Sequence, residues 1–125
     1  MKYKLIEKGN PSNPDAPKKW YANPVNAGKF KIKDLSKVIE GKSSLSRGDI
    51  ESVLINLLEE LPTFLQIGMS IQLGEFGTLR LGVSSEGAES PEEFSSSMIK
   101  NVKVIFTPSA DLKKRLKDTS FEEAK

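Results

Sequence analysis

The side chains of this chain that could do chemistry are carboxylates, ammonium groups and guanidinium groups, because its 125 residues include no His and no Cys. Without imidazole, the commonest general base, the commonest metal ligand and any His-dependent triad are missing. The acidic pairs Glu59-Glu60 and Glu92-Glu93 are consecutive. Neighbours in sequence do not face one another, so neither pair forms an acid–base dyad. No Asp/Glu run has EF-hand spacing. Gly74 and Gly77, which flank Glu75-Phe76, look like residues of backbone geometry and do not make a phosphate loop. The sequence therefore predicts no enzyme, no metal, no cofactor and no small-molecule substrate.

What remains is charge, and it is unevenly spread. Residues 1–43 hold ten Lys against four acids, whereas residues 44–125 hold nine Lys and Arg against thirteen acids. A basic half attracts nucleic acid or an acidic surface. Against that trend, residues 82–99 carry Glu86, Glu89, Glu92 and Glu93 and no Lys or Arg. The absence of Cys removes any disulfide framework and makes the cytoplasm the expected compartment. No apolar run approaches the roughly 20 residues that span a bilayer, and the N-terminal stretch lacks the pattern of a signal peptide.

The elements that must position these charges follow from periodicity. Residues 3–7 and 19–22 are short and β-prone. Pro11, Pro14 and Pro17 between them forbid regular structure. Residues 1–29 thus read as a β-extension on a body of residues 30–125. Leu35, Val38 and Ile39 have helical spacing and predict a first helix from Lys33 to Gly41. Ser46, with Asp49 three residues on, is the expected N-cap of a second. Behind it Ile50, Val53, Leu54, Leu57, Leu58, Leu61, Phe64 and Leu65 form a stripe too wide for one short partner, which predicts a surface shared by two chains. Pro62 predicts a kink or break. Strands are expected at 69–73, 78–83 and 99–107, with 74–77 as a tight turn. Pro108 and Ser109 should open a last helix over 110–117, with Leu112 and Leu116 inward, and the tail from Thr119 should fray.

In this order the elements resemble the HU/IHF family of bacterial histone-like DNA-binding proteins. LSKVIEGKSSLSRGDIESVLINLLEELPTFLQIG is similar to the family's helical dimer platform. GMSIQLGEFGTLRL resembles its strand-turn-strand, and FTPSADLKKRLKD its exit into the last helix. The resemblance covers about residues 33–118. It implies an α+β fold with two N-terminal helices, a three-stranded antiparallel sheet that continues into a long β-arm at about 82–101, and a short C-terminal helix. It also implies an intertwined homodimer joined through Ile50, Val53, Leu54, Leu57, Leu58, Leu61, Phe64 and Phe76.

The function implied is non-sequence-specific binding of double-stranded DNA, as an architectural protein of the nucleoid. The alternative is a dimeric HU-fold scaffold that has lost DNA and whose acidic arm meets a basic partner. The arm departs from the family, whose arms are basic and carry a Pro wedge. Here Pro91 lies in Ser-Pro-Glu-Glu, and carboxylates repel the phosphates that supply most of the affinity. The family's arm residues therefore do not carry over. The cations expected to contact DNA are Lys31, Lys33, Arg80, Lys100, Lys103, Lys113, Lys114 and Lys117. An N-terminal cluster of Lys18, Lys19 and Lys29 with Lys31 and Lys33 is a second possible source.

Overall fold

A computed structural model describes residues 1–125 as two three-stranded sheets and three helices. The N-terminal sheet contains β1 (Lys2–Lys8) and β2 (Lys19–Pro24). Two helices follow, α1 (Ile32–Glu40) and α2 (Arg47–Gln66). The second sheet is built from β3 (Ile71–Leu73), β4 (Gly77–Ser85) and β5 (Ile99–Pro108), in that spatial order and antiparallel throughout. Helix α3 (Ala110–Leu116) comes next, then a two-residue strand, β6 (Glu122–Glu123).

The tail does not fray. Strand β6 pairs in parallel with β1, giving the order β2-β1-β6. The Glu122 N–H donates to the Met1 carbonyl, the Ala124 N–H to the Tyr3 carbonyl, and the N-terminal ammonium to the Ser120 carbonyl. Thr119 to Lys125 show too weak a periodicity to suggest a strand. The order comes from the free edge of β1, whose unpaired backbone groups are a template for another strand.

The helix ends follow their capping residues. Ser46 Oγ accepts from the Asp49 N–H at 3.2 Å, and the Asp34 carboxylate accepts from the Lys31 N–H at 2.8 Å. Helix α2 runs unbroken through Pro62, although the proline nitrogen cannot donate to the Leu58 carbonyl. It ends where Gly68 takes φ +90°. There the Met69 N–H reaches the Phe64 carbonyl and the Gly68 N–H the Leu65 carbonyl, the paired bonds of a Schellman stop.

The chain encloses very little. Ile50 at 4% exposure and Leu65 at 6% are its buried hydrophobic side chains, joined by Ser36 and by Gly77. Helix α1 turns Ile32, Ser36 and Ile39 inward, and Ser36 Oγ donates back to the Ile32 carbonyl at 2.7 Å. Leu35 and Val38, expected on that face, are exposed, and so is Leu116 of α3. The apolar pattern on these helices is wider than the surface one chain offers them, so part of each stripe is left uncovered.

Close packing occurs where the second sheet begins. The Phe76 and Phe106 rings lie 5.2 Å apart. A Cβ built on Gly77 would stand 2.6 Å from both the Phe106 ring and the Thr107 carbonyl oxygen. A Cβ on Gly82 would meet only the movable tip of the Ile105 side chain at that distance. Gly77→Ala should therefore cost about 1–3 kcal/mol and lower Tm by roughly 5 °C or more, with Gly82→Ala much milder. Thermal melts of the two variants check this; equal losses would show that backbone clearance at Gly77 is not the constraint.

Candidate nucleic-acid interface

Side chains alternate faces along a strand, and the register sorts those of the second sheet. Leu79, Leu81 and Val83 of β4 lie opposite Phe106, Val104 and Val102 of β5, and Ile71 of β3 lies opposite Leu79. These form an apolar face, on which Val83, Val102, Val104 and Phe106 are exposed. The other face carries Gln72, Thr78, Arg80, Gly82 and Ser84 with Asn101, Lys103, Ile105 and Thr107.

No acid lies on that polar face. Arg80 faces Ile105 across the ladder and Lys103 faces Gly82, so the two cations are diagonal neighbours, a spacing of about 7–8 Å between Cα atoms. Gly82 leaves room beside Lys103, whose Cε lies 3.4 Å from where its Cβ would be.

Helix α3 is fixed at one end of this sheet. Its N-cap Ser109 accepts from the Leu112 N–H at 3.0 Å, donates its hydroxyl to the Glu75 carbonyl, and donates its own N–H to the Phe76 carbonyl at 3.0 Å. The N-cap is thereby tied to the β3–β4 turn. Lys113 and Lys117, one turn apart, and Lys114 and Arg115 beside them are all exposed. Arg115 adds an exposed cation to the three singled out on this short helix from the sequence.

The acidic segment closes the opposite end, about 27 Å away along β4 at strand rise. It is not a two-stranded arm to its tip. The regular ladder ends at Ser84–Asn101, a bulge separates it from the Ser85–Ile99 pair, and the tip holds two short 3₁₀ turns, Pro91–Glu93 and Ser96–Met98. Lys100 sits in the bulge. Its ammonium lies 3.4 Å from the Glu86 carboxylate and donates to the Ser97 carbonyl at 3.4 Å. The cation expected on the DNA-contacting surface is thus engaged at the base of the acidic tip. Bulges re-aim side chains, and the strand spacing gave no sign of this one. Lys31 and Lys33 are exposed at the start of α1, which is not part of the sheet.

The hydrophobic stripe divides in a similar way. Ile50 is buried and Leu54 and Leu61 are half-buried within the chain, whereas Val53, Leu57, Leu58 and Phe64 of α2, and Phe76 at the turn, remain exposed. No group of acidic side chains is arranged to hold a metal ion, and no helix is long and apolar enough to cross a membrane.

Helical platform, antiparallel sheet, extended β4–β5 ladder and basic terminal helix together define a fold of the HU class. A structure of Anabaena HU with DNA is similar to this chain with TM-score 0.50 and 14% identity, over 73% of this chain and 100% of that one. A crystal structure from Bacteroides vulgatus, assigned as a bacterial DNA-binding protein, is similar with TM-score 0.61 and 15% identity. That likeness covers 98% of this chain, which spans 47% of the Bacteroides one. No curated protein matches. The profile of a family described as an HU domain fused to wHTH, Ig, or Glycine-rich motif matches residues 1–123, extension included, and the chain belongs to that family.

All hydrogen bonds of residues 86–98 stay within the segment or reach its own flanking strands. Replacing residues 87–97 by a two-residue turn should therefore leave Tm within about 2 °C of the parent, since exposed tips contribute little to stability and a solvent-exposed ion pair is worth about 0–1 kcal/mol. A larger drop in a thermal melt would show that the tip packs on the body.

Proposed function

We propose that the protein is a homodimer that binds double-stranded DNA without sequence specificity, as an architectural component of the nucleoid. Family membership supports an HU-type binding protein rather than an enzyme. The observation that carries the DNA reading is the acid-free sheet face with Arg80 and Lys103; Lys113, Lys114 and Lys117 belong to α3, whose N-cap is tied to the turn at the end of the same sheet. Point charges of one sign on a polar face suit phosphates and supply no means of reading base edges.

The dimer reading is supported by exposed apolar surface. A chain of this size ordinarily buries well over half of its unfolded surface. Here Val53, Leu57, Leu58 and Phe64 of α2 and the apolar face of the second sheet are open. Such patches belong to interfaces, and a second copy of the chain offers a matching one. Residues 1–29 remain in this reading an extension on an HU-like body of residues 30–125.

The acidic tip favours the second reading, a scaffold that has exchanged DNA for a basic protein. With Glu86 holding Lys100 and three further carboxylates beyond it, the tip is no wedge for the minor groove. Binding through the body alone should involve fewer phosphates than an arm that wraps the duplex, and bend it less.

Two measurements test this function. Leu57→Asp or Leu58→Asp, which places a charge in the open stripe, should abolish folding or dimerisation. Light scattering with circular dichroism checks this, and a folded monodisperse wild-type monomer would sink the dimer. Duplex affinity should fall roughly 10²-fold between 50 and 200 mM salt if about four phosphates are neutralised. In the same titration, Arg80→Gln with Lys103→Gln should flatten the salt dependence, and neutralising Glu86, Glu89, Glu92 and Glu93 to Gln should tighten binding. Absence of duplex binding by the wild type at low salt, where screening is least, would give the scaffold reading its place.

A further inference from the structure

The N-terminal sheet is two-sided in a way that a solvated extension does not require. Register pairs Tyr3 with Pro24, Leu5 with Ala22 and Glu7 with Trp20, so one face is mostly apolar. Met1 and Phe121 join Tyr3, Ala22 and Pro24 around a shallow depression on it. The opposite face holds Lys2, Lys4, Ile6 and Lys8 of β1 and Lys19, Tyr21 and Asn23 of β2. Its one acid is Glu122, paired beside Lys2 on β6.

Three features set this face apart from ordinary surface charge. Lys8 lies directly across the ladder from Lys19, and like charges directly opposite one another destabilise a sheet. None of the four lysines forms an ion pair; the chain's ion pairs are Arg47–Glu40 and Lys100–Glu86. The exposed Tyr21 ring lies under the Lys8 ammonium, 5.9 Å from its centroid, which leaves an aromatic surface among the cations. A face that keeps cations unpaired and opposed is relieved by an external anion.

We propose that this face, Lys2, Lys4, Lys8 and Lys19 with Tyr21, is a second site for the phosphate backbone of duplex DNA, separate from the Arg80–Lys103 face. The proposal rests on the DNA-binding reading above and adds a site to it. Alternation puts Lys2, Lys4 and Lys8 in one row of about 20 Å, a length over which one DNA strand presents about six phosphates. An extended, evenly charged polymer matches that row. The competing anion within the protein is the tip of a second copy, whose exposed Glu86, Glu89, Glu92 and Glu93 sit on a compact bulge-and-turn segment and not in an extended row.

The test uses the full-length protein and a fluorescent random-sequence duplex over a salt series, with circular dichroism to verify the fold. In an Arg80→Gln/Lys103→Gln background, salt-sensitive duplex binding should persist. Adding Lys4→Gln, Lys8→Gln and Lys19→Gln should weaken it at least tenfold and reduce the salt slope by about one per lysine. Arg at the same three positions should restore both. If the three Gln substitutions leave affinity and slope unchanged while the wild type binds DNA, the second site is wrong and the DNA reading stands. If they instead abolish self-association at low salt without touching DNA binding, the face belongs to the acidic tip of another copy and the proposal is overturned. A wild type that binds no duplex overturns both.

Discussion

Exposed apolar surface governs this molecule. Helix α2 offers hydrophobic side chains around more of its circumference than α1 and the strands β3 and β4 can cover, and Ile50 and Leu65 are the residues of that helix that are buried. Hydrophobic stabilisation scales with the area removed from water, and this chain by itself encloses little of it. The open apolar face of β4 and β5 adds to the same deficit. Arg80 and Lys103 are tied to that surface, because the apolar face of the second sheet and its cationic face are two sides of one ladder.

That two-sidedness recurs in both sheets. In each, the period-2 alternation sends hydrophobic groups to one side and Lys or Arg to the other, with few acids among the cations. Two small sheets thus present separate faces on which Lys and Arg outnumber acids, and four carboxylates lie where the β4–β5 ladder ends. A surface meant only for solubility intersperses both signs, whereas the polar faces of the two sheets carry a single acid, Glu122, between them.

The arm shows how a shared fold can carry a changed surface. An HU-type ladder continues to Ser84 and Asn101, then gives way to a bulge and a compact acidic tip whose bonds are local. Strand pairing needs only backbone groups and a register, so the sheet tolerates any tip chemistry beyond its last pair. What the tip changes is electrostatic. Lys100 is held by Glu86, and the remaining cations of the sheet lie nearer its middle and the α3 end.

Much of this was legible from residue order. The α+β class, the three helices, the Ser46 and Ser109 caps and all five longer strands follow from apolar period and turn chemistry, which are local properties. That Arg80 and Lys103 share one face came from the register between β4 and β5. Tertiary structure alone decided the rest, because it depended on partners distant in sequence. Residues 122–123 became a strand only because β1 had an unpaired edge. Pro62 stayed inside α2, with neighbouring turns maintaining the helix. Ile50, Leu54 and Leu61 turned inward while Val53, Leu57 and Leu58 stayed out, a division that depends on where α1 and the sheet lie. Lys100 was brought beside Glu86 by a bulge in the pairing with β4. The row of Lys2, Lys4 and Lys8 was in the sequence throughout, but that Lys19 stands against Lys8 with no acid to neutralise them was decided by register, which long-range backbone pairing sets.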